Sequence, residues 1–200
     1  MNKPTRKSIR LKGYDYTSPG AYFITICTNN HKYMFGDITD GKMVLNDIGD
    51  IVYSEWFKTE TLRSGISLDA FVIMPNHVHG IVIIKNGVAM QDSGTKHRAP
   101  TVERFGKPAS GSIPTIIRGF KSAVTNRVNK INNTPGFKLW QRNYWEHVIR
   151  NDESMNKLRD YIATNPKKWL PDCFNIDNQQ ENDKNKEIQT SGNNESPIVR

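Results

Sequence analysis

The chain has 200 residues, 36% of them hydrophobic, and a formal net charge of +8. This length and apolar content predict one main domain with appendages rather than two domains. No apolar run is long enough to span a membrane, and the opening MNKPTRKSIRLK lacks the apolar stretch of a signal peptide, so we expect a cytoplasmic protein without membrane association. The two cysteines, Cys27 and Cys173, form no CxxC pair and suit a reducing compartment.

The charge is unevenly distributed along the chain. Residues 171–200 contain six acidic and three basic residues, a net charge of −3, which leaves residues 1–170 at +11. A body this basic favours polyanionic partners, because neutralised phosphates release counterions. We predict a basic N-terminal arm over residues 1–20, a main domain over residues 21–170, and a tail that is disordered because it cannot bury enough apolar surface. Residues 85–111 predict a long polar loop of the kind that is usually functional or mobile.

The main domain begins with β-rich sequence. Residues 21–28, AYFITICT, predict a strand, and KMVLN at 42–46 is expected to pair beside it across a glycine turn. A first helix is predicted behind a cap at Asn46 or Asp47. Its apolar residues at helical spacing are Ile48, Ile51, Val52, Trp56 and Phe57.

Two β-branched runs follow, at residues 66–73 and 78–84. The intervening MPN predicts a hairpin or tight corner, because Pro75 cannot donate a hydrogen bond to a strand ladder. A second helix is predicted after Ser112, which can cap it. Its apolar stripe comprises Ile117, Phe120, Val124, Val128 and Ile131.

The last part of the domain predicts an aromatic strand, LWQRNYWEHVIR, and a third helix, DESMNKLRDYIATNP. The third helix is expected to begin at a cap on Asn151 or Asp152 and to stop at Pro166. The order strand, helix, strand, strand, helix, strand, helix is that of the α+β ferredoxin-like or split βαβ fold, with an additional C-terminal helix. Such an antiparallel sheet, backed by two helices, can bury one face and leave the other for a ligand.

Two histidines occur one residue apart in MPNHVHG, within a run of Val and Ile. Side chains alternate between the faces of a strand, so His77 and His79 point to the same side and Val78 to the other. A pair placed in this way can hold one metal ion, since imidazole is the commonest metal ligand in proteins. A structural zinc site needs four ligands, so a further ligand is expected elsewhere in the chain.

The third helix offers two polar residues on one face. Tyr161 and Asn165 are four positions apart and flank the apolar stripe of that helix. Each also has a purely structural interpretation, because Asn before Pro terminates helices and Tyr often lies at the edge of a core.

Four stretches of the sequence can be taken together: MPNHVHGIVII, GSIPTIIRGFKSAV, LWQRNYWEHVIRN and LRDYIATNPKKW. In this order they resemble the single-tyrosine HUH transposases, in particular the REP-associated tyrosine transposases. The resemblance covers about residues 8–170. It implies a metal-dependent nuclease and strand transferase for single-stranded DNA, which binds hairpin-forming repeats and cuts beside them. It also implies that His77 and His79 fill the His-hydrophobic-His motif, that Tyr161 is the nucleophile, and that Asn165 helps to hold the metal. Members occur as monomers and as dimers that exchange the tyrosine helix.

The identity of the metal and two of the site residues have alternatives. Imidazole ligands favour zinc or other late metals, whereas the resemblance implies Mg²⁺ or Mn²⁺, and Mn²⁺ satisfies both arguments. Glu146 and His147 are alternative ligands or bases, although adjacent strand residues face opposite ways and only one could join the site. Tyr144 is an alternative nucleophile. Tyr161 is preferred because it shares a helical face with Asn165.

Candidate DNA-binding residues are spread over the chain. They comprise Lys3, Arg6, Lys7, Arg10 and Lys12 of the N-terminal arm, Arg118 and Lys121 of the second helix, and Arg142. Aromatic side chains such as Trp145 could stack on unpaired bases.

Three functions fit these residues. The first is a transposase-type nuclease and strand transferase that forms a 5′-phosphotyrosine intermediate. The second is a module of the same fold that binds hairpin DNA or RNA without cutting it. The third is an unrelated metalloenzyme in which the histidine pair activates water.

Overall fold

A computed structural model of the protein describes residue 11, residues 13–85 and residues 109–169. The predicted DNA-binding residues Lys3, Arg6, Lys7, Arg10 and Lys12 therefore lie outside the described residues, as do most of the predicted 85–111 loop and the 171–200 tail. No helix in the described part of the chain is long and apolar enough to cross a membrane.

Six strands and three α-helices make up the described fold, together with two short 3₁₀ turns. In chain order they are β1 (Gly20–Cys27), β2 (Gly36–Thr39), β3 (Lys42–Leu45), α1 (Asp47–Thr61), β4 (Ile66–Met74), β5 (His77–Ile84), α2 (Ile113–Ile131), β6 (Trp145–Ile149) and α3 (Asp152–Thr164). The 3₁₀ turns cover Asn29–His31 and Asn165–Lys168.

The main sheet has four antiparallel strands in the order β4-β5-β1-β6. This arrangement, with the helices on its faces, confirms the predicted ferredoxin-like α+β fold with an additional C-terminal helix. The predicted pairing of the KMVLN segment with the first strand is wrong, because β3 pairs with β2 in a separate two-stranded sheet. Both edges of β1 are occupied, by β5 and β6, so β1 has no edge left for β3.

The core lies between one face of the main sheet and the helices α1 and α2. Strand residues such as Ile24 and Val78 pack there with Trp56 of α1 and Phe120 of α2. The predicted helical stripes are confirmed except at their ends. Phe57 and Ile131 are 41% and 63% exposed.

The helices begin where the sequence predicts, although one cap differs in detail. The side chain of Asn46 caps α1 by accepting from the backbone amides of Ile48 and Gly49, and Asn151 caps α3 by accepting from the amide of Ser154. Ser112 stands at the N-cap position of α2, but its hydroxyl donates to the carbonyl of Ala109 instead of capping the helix.

The opposite face of the sheet carries α3. Ile162 and Leu158 of this helix pack with Phe23, Val72 and Ile81 in a second, smaller apolar cluster. Packing here leaves part of the sheet face beside α3 open.

One ion pair fixes α3 against the edge strand. A bulge in β4 interrupts the pairing between Leu68 and Phe71. The carboxylate of Asp69, within that bulge, accepts two 2.8 Å hydrogen bonds from the guanidinium of Arg159. Two parallel hydrogen bonds between one guanidinium and one carboxylate fix their relative orientation as well as their distance. This ion pair therefore restrains rotation of α3 about its own axis.

Candidate active site

His77 and His79 begin strand β5 and point to the face of the sheet that carries α3. Both side chains are buried, with exposed fractions of 0% and 2%. Their Nε2 atoms lie 3.0 Å apart. The alternation predicted from the sequence therefore brings two imidazole nitrogens to one point.

Hydrogen bonds to the other nitrogen fix each ring. His77 Nδ1 lies 2.8 Å from Asn76 Oδ1, and the amide nitrogen of Asn76 donates to the carbonyl of His31, which sets the orientation of the amide. His77 Nδ1 is therefore the donor in its bond. His79 Nδ1 lies 2.8 Å from the hydroxyl of Thr25, its cross-strand neighbour on β1. Partners of this kind orient a histidine ligand toward a metal.

Burial keeps both rings neutral. It lowers the pKa of His79 to about 3. Burial, followed by the charges of His79 and His31, holds the pKa of His77 well below its usual range. With Nδ1 protonated toward Asn76, the neutral ring of His77 presents the lone pair of its Nε2 toward His79.

Tyr161 brings a phenol to the same point from α3. Its hydroxyl lies 3.2 Å from His79 Nε2. Its ring packs edge-on against Phe23 and against His79, at centroid distances of 6.1 and 5.1 Å. The side chain is 36% exposed, so the hydroxyl is held in place and still accessible to a ligand.

Asn165 follows one helical turn after Tyr161. The residue is 1% exposed, and its Oδ1 has no hydrogen-bond partner among the described residues. Tyr161 contacts His79, and the ring of Trp169 lies 6.1 Å from that of His77, so Asn165 lies on the chain between two contacts with the histidine pair. A buried amide oxygen without a partner is costly, and such groups in native proteins commonly serve a ligand or a reaction.

These donors fit a divalent ion. Adjacent ligands of an octahedral ion with bonds of about 2.1 Å lie about 3 Å apart, which is the separation of the two Nε2 atoms. Among the described residues no three His, Cys, Asp or Glu side chains form a cluster. Two imidazoles and one amide oxygen leave several coordination positions open, as a catalytic site requires and a structural site does not.

The sequence is similar to two proteins of Haemophilus influenzae. No family model matches it. It is 41% identical over 173 residues to an uncharacterized protein of Haemophilus influenzae, covering 86% of this chain and 94% of that one. It is 25% identical over 154 residues, 77% of this chain and 74% of the relative, to a protein of that organism assigned to the REP-associated tyrosine transposases.

A solved structure of a REP-associated tyrosine transposase bound to a REP hairpin shares the fold. The TM-score is 0.50 at 21% identity, and the match covers 84% of this chain and 74% of the other. Both the 25% identical relative and this solved structure are REP-associated tyrosine transposases, the proteins that the sequence motifs resemble. The resemblance seen in the motifs is therefore confirmed.

The alternative site residues lie apart from the histidine pair. Glu146 faces the opposite side of the sheet, because its partner on β1 is the core residue Ile24. His147 faces the same side as the histidine pair but is exposed and lies two strands from β5, about 10 Å away at normal strand spacing. Tyr144 belongs to the core cluster and is 8% exposed.

The three DNA-binding candidates in the described residues have different surroundings. Arg118 is exposed on α2, which covers the sheet face opposite the histidines. Lys121 donates from Nζ to the carbonyls of Gln141 and Arg142, at 2.6 and 3.2 Å, and burial lowers its pKa to about 8. Arg142 is exposed on the segment before β6.

Sequence reasoning missed the residues that hold the site together. Thr25 and Asn76 orient the histidine rings, and the pair Asp69 and Arg159 fixes α3. Trp169 packs over His77. Alternation along β1 places Thr25 on one face, but its partner depends on strand register, which only the pairing reveals.

Proposed function

We propose that this protein is a metal-dependent endonuclease and strand transferase for single-stranded DNA, which cuts beside hairpin-forming repeats through a 5′-phosphotyrosine intermediate. The observation that carries the proposal is the 3.2 Å approach of the Tyr161 hydroxyl to His79 Nε2, which itself lies 3.0 Å from His77 Nε2. The proposed nucleophile and two proposed metal-ligand atoms therefore lie next to one another. The relative assigned to the REP-associated tyrosine transposases and the fold shared with a transposase bound to a REP hairpin support the same substrate class.

His77, His79 and Asn165 are the residues that would hold the ion, Mg²⁺ or Mn²⁺. When bound, such an ion neutralises charge on the non-bridging oxygens of a phosphodiester and helps to orient it. Neutral imidazoles are required, because a protonated ring cannot be a ligand. Burial of both rings supplies that state throughout the neutral pH range.

Tyr161 performs the covalent step. Its Oη forms a bond to phosphorus, and the bond from phosphorus to the 3′ oxygen of the preceding nucleotide breaks. The phenolic proton leaves to water and the departing 3′ oxygen takes one up. The products are a 5′-phosphotyrosine and a free 3′ hydroxyl.

The reverse reaction reseals a strand. A phenol with an ordinary pKa near 10 is a workable leaving group, so a 3′ hydroxyl can attack the phosphotyrosine link and restore a phosphodiester. The number of phosphate ester bonds is conserved in both directions. Strand transfer therefore needs no ATP.

The charge of the chain supports a nucleic acid partner. The formal net charge is +8 and the sequence pI is about 9.5. Such a protein attracts phosphate backbones in a salt-dependent manner. The basic arm, with Arg6, Lys7, Arg10 and Lys12, and the exposed Arg142 are the proposed contributors, and Arg118 and Lys121 are secondary ones.

A cutting assay with two end labels tests the proposal. Hairpin oligonucleotides with single-stranded flanks carry a dye at either the 3′ or the 5′ end and are incubated with Mn²⁺. The wild-type protein should become covalently joined to the 3′-labelled fragment and release the 5′-labelled one. Tyr161→Phe should bind with an unchanged Kd but form no adduct, and the control Tyr53→Phe, on the exposed surface of α1, should behave as wild type.

Other outcomes would favour the other two functions. Binding without any adduct or cutting by the wild-type protein would indicate a non-cleaving hairpin DNA or RNA module. Cutting by Tyr161→Phe at the normal rate would overturn the assignment of Tyr161 and would indicate that water or another side chain is the nucleophile.

A further inference from the structure

We propose that the recess beside Thr25, between the end of β1 and the segment that leads into β6, binds one unpaired nucleobase of the bound strand, next to the phosphate that is cut. The recess is lined by Thr25, Cys27 and residues 141 and 143–145. This inference rests on the proposed function and deepens it, because it names a nucleotide subsite of the same active site.

The recess adjoins the histidine pair directly. Thr25 lines it, and the hydroxyl of Thr25 lies 2.8 Å from His79 Nδ1. Cys27, which also lines it, is the cross-strand neighbour of His77. A strand whose phosphate lies at the histidines therefore has a neighbouring base within reach of this recess.

The size and chemistry of the recess suit one base. Its volume is about 160 Å³, and a cavity of about 150 Å³ is known to admit benzene. Trp145 forms one wall and is 60% exposed, so a large part of its surface is open for stacking. Asn143 is exposed, and its amide makes no hydrogen bond with the described residues, which leaves a donor and an acceptor for a base edge.

The wall that carries Trp145 is held rigidly. Gln141 donates its backbone N–H to the carbonyl of Cys27 at 3.0 Å, and Lys121 Nζ donates to the carbonyl of Gln141. The side chain of Gln141 also lies 2.8 Å from His31 Nε2. A preformed subsite loses less conformational entropy on binding than a flexible one.

The same hydrogen bonds link the recess to the candidate metal site. The carbonyl of His31 accepts from Asn76, whose Oδ1 accepts from His77. Gln141 in the wall of the recess is thus connected through His31 and Asn76 to His77. One hydrogen-bond network would therefore position both a base in the recess and a phosphate at the histidines.

A binding assay with abasic oligonucleotides tests the inference. All proteins carry Tyr161→Phe so that binding is measured without cutting, and each hairpin carries one abasic site, moved stepwise through the single-stranded flank. With Trp145 present, one abasic position should raise Kd by about 5- to 150-fold, the range for loss of one base–aromatic stack. Trp145→Ala should remove this sensitivity, Trp145→Phe should retain most of it, and the control Tyr53→Ala should leave it unchanged.

The base edge gives a second readout. At the sensitive position the four bases should differ in Kd, and Asn143→Ala should reduce those differences without abolishing the effect of the abasic site. Two results would overturn the inference. One is that every abasic site changes Kd by the same factor in Trp145→Ala as in the protein with Trp145. The other is that no abasic site in the flank changes Kd.

The inference and the proposed function fail in different ways. If the protein with Tyr161 intact cuts the hairpins but no position depends on Trp145, only the base subsite is wrong. If one position depends on Trp145 but no hairpin is cut and no adduct forms, the subsite stands and the nuclease proposal is wrong.

Discussion

Replacing Asn165 with leucine should stabilise the metal-free protein and at the same time weaken metal-dependent cutting. Asn165 is 1% exposed and its Oδ1 has no partner among the described residues. Leucine is similar in shape and carries no polar atom, so the replacement removes the cost of burying an unpaired oxygen. It also removes the proposed third ligand.

The size of the effect follows from the burial. An unsatisfied buried acceptor costs about 1–3 kcal/mol. In a domain of this size each kcal/mol shifts Tm by about 2–4 °C, so the Asn165→Leu protein should melt roughly 2–12 °C higher in chelator. Metal at about 100 times its Kd stabilises a folded protein by about 2.7 kcal/mol, and this increment should shrink in the variant.

Thermal unfolding in EDTA and in a Mn²⁺ series measures both effects, and cutting of labelled hairpins follows the activity. Asn165→Asp is the matched control. An unpaired buried carboxylate should lower Tm in EDTA, whereas a charged ligand should increase the shift that Mn²⁺ produces. The reasoning is refuted if Asn165→Leu melts lower than wild type in EDTA, or if its Mn²⁺ response and cutting rate are unchanged.

Three further predictions concern the surroundings of the site. In metal-free protein the pKa values of His77 and His79 are lower in the folded than in the unfolded state, so on acidification the unfolded chain takes up protons first. The free energy of unfolding is therefore at its full value above about pH 6.5. It falls as pH drops toward 3, by about 1.4 kcal/mol per pH unit for each histidine. Urea unfolding should show one such contribution missing in His79→Gln, and a stability that rises on acidification would contradict this. Gly80→Ala would place a Cβ against the Trp56 ring, and the overpacking should cost about 1–3 kcal/mol in urea unfolding; an unchanged midpoint would mean that α1 can shift. Arg159→Ala should slow single-turnover cutting by about ten- to a hundredfold, because misplacement of a nucleophile by about 1 Å has effects of that order. The circular dichroism spectrum should stay unchanged. Full activity would show that the ion pair with Asp69 does not set the position of α3.

The sequence predicts the elements and their order because local signals determine them. Helical spacing and the caps Asn46 and Asn151 locate α1 and α3, and strand alternation places His77 and His79 on one face. The residues of one element that act together can therefore be found from spacing alone.

Contacts between distant elements could not be derived in this way. Tyr161 and His79 are 82 positions apart, and their meeting was expected only through the family resemblance. The partnership of Thr25 with His79 depends on strand register, and that of Asp69 with Arg159 depends on a bulge in β4. The wrong pairing assigned to the KMVLN segment has the same origin, since nothing local reveals that both edges of β1 are already paired.

The order of these elements along the chain has a consequence during synthesis. The histidines belong to an early hairpin, whereas Tyr161 of α3 is made 82 residues after His79. A nascent chain that has released only the hairpin from the ribosome holds imidazoles without a nucleophile. Under the proposed function, it could cut a DNA strand only after α3 has emerged and docked, so truncated translation products that end before this helix should not cut DNA.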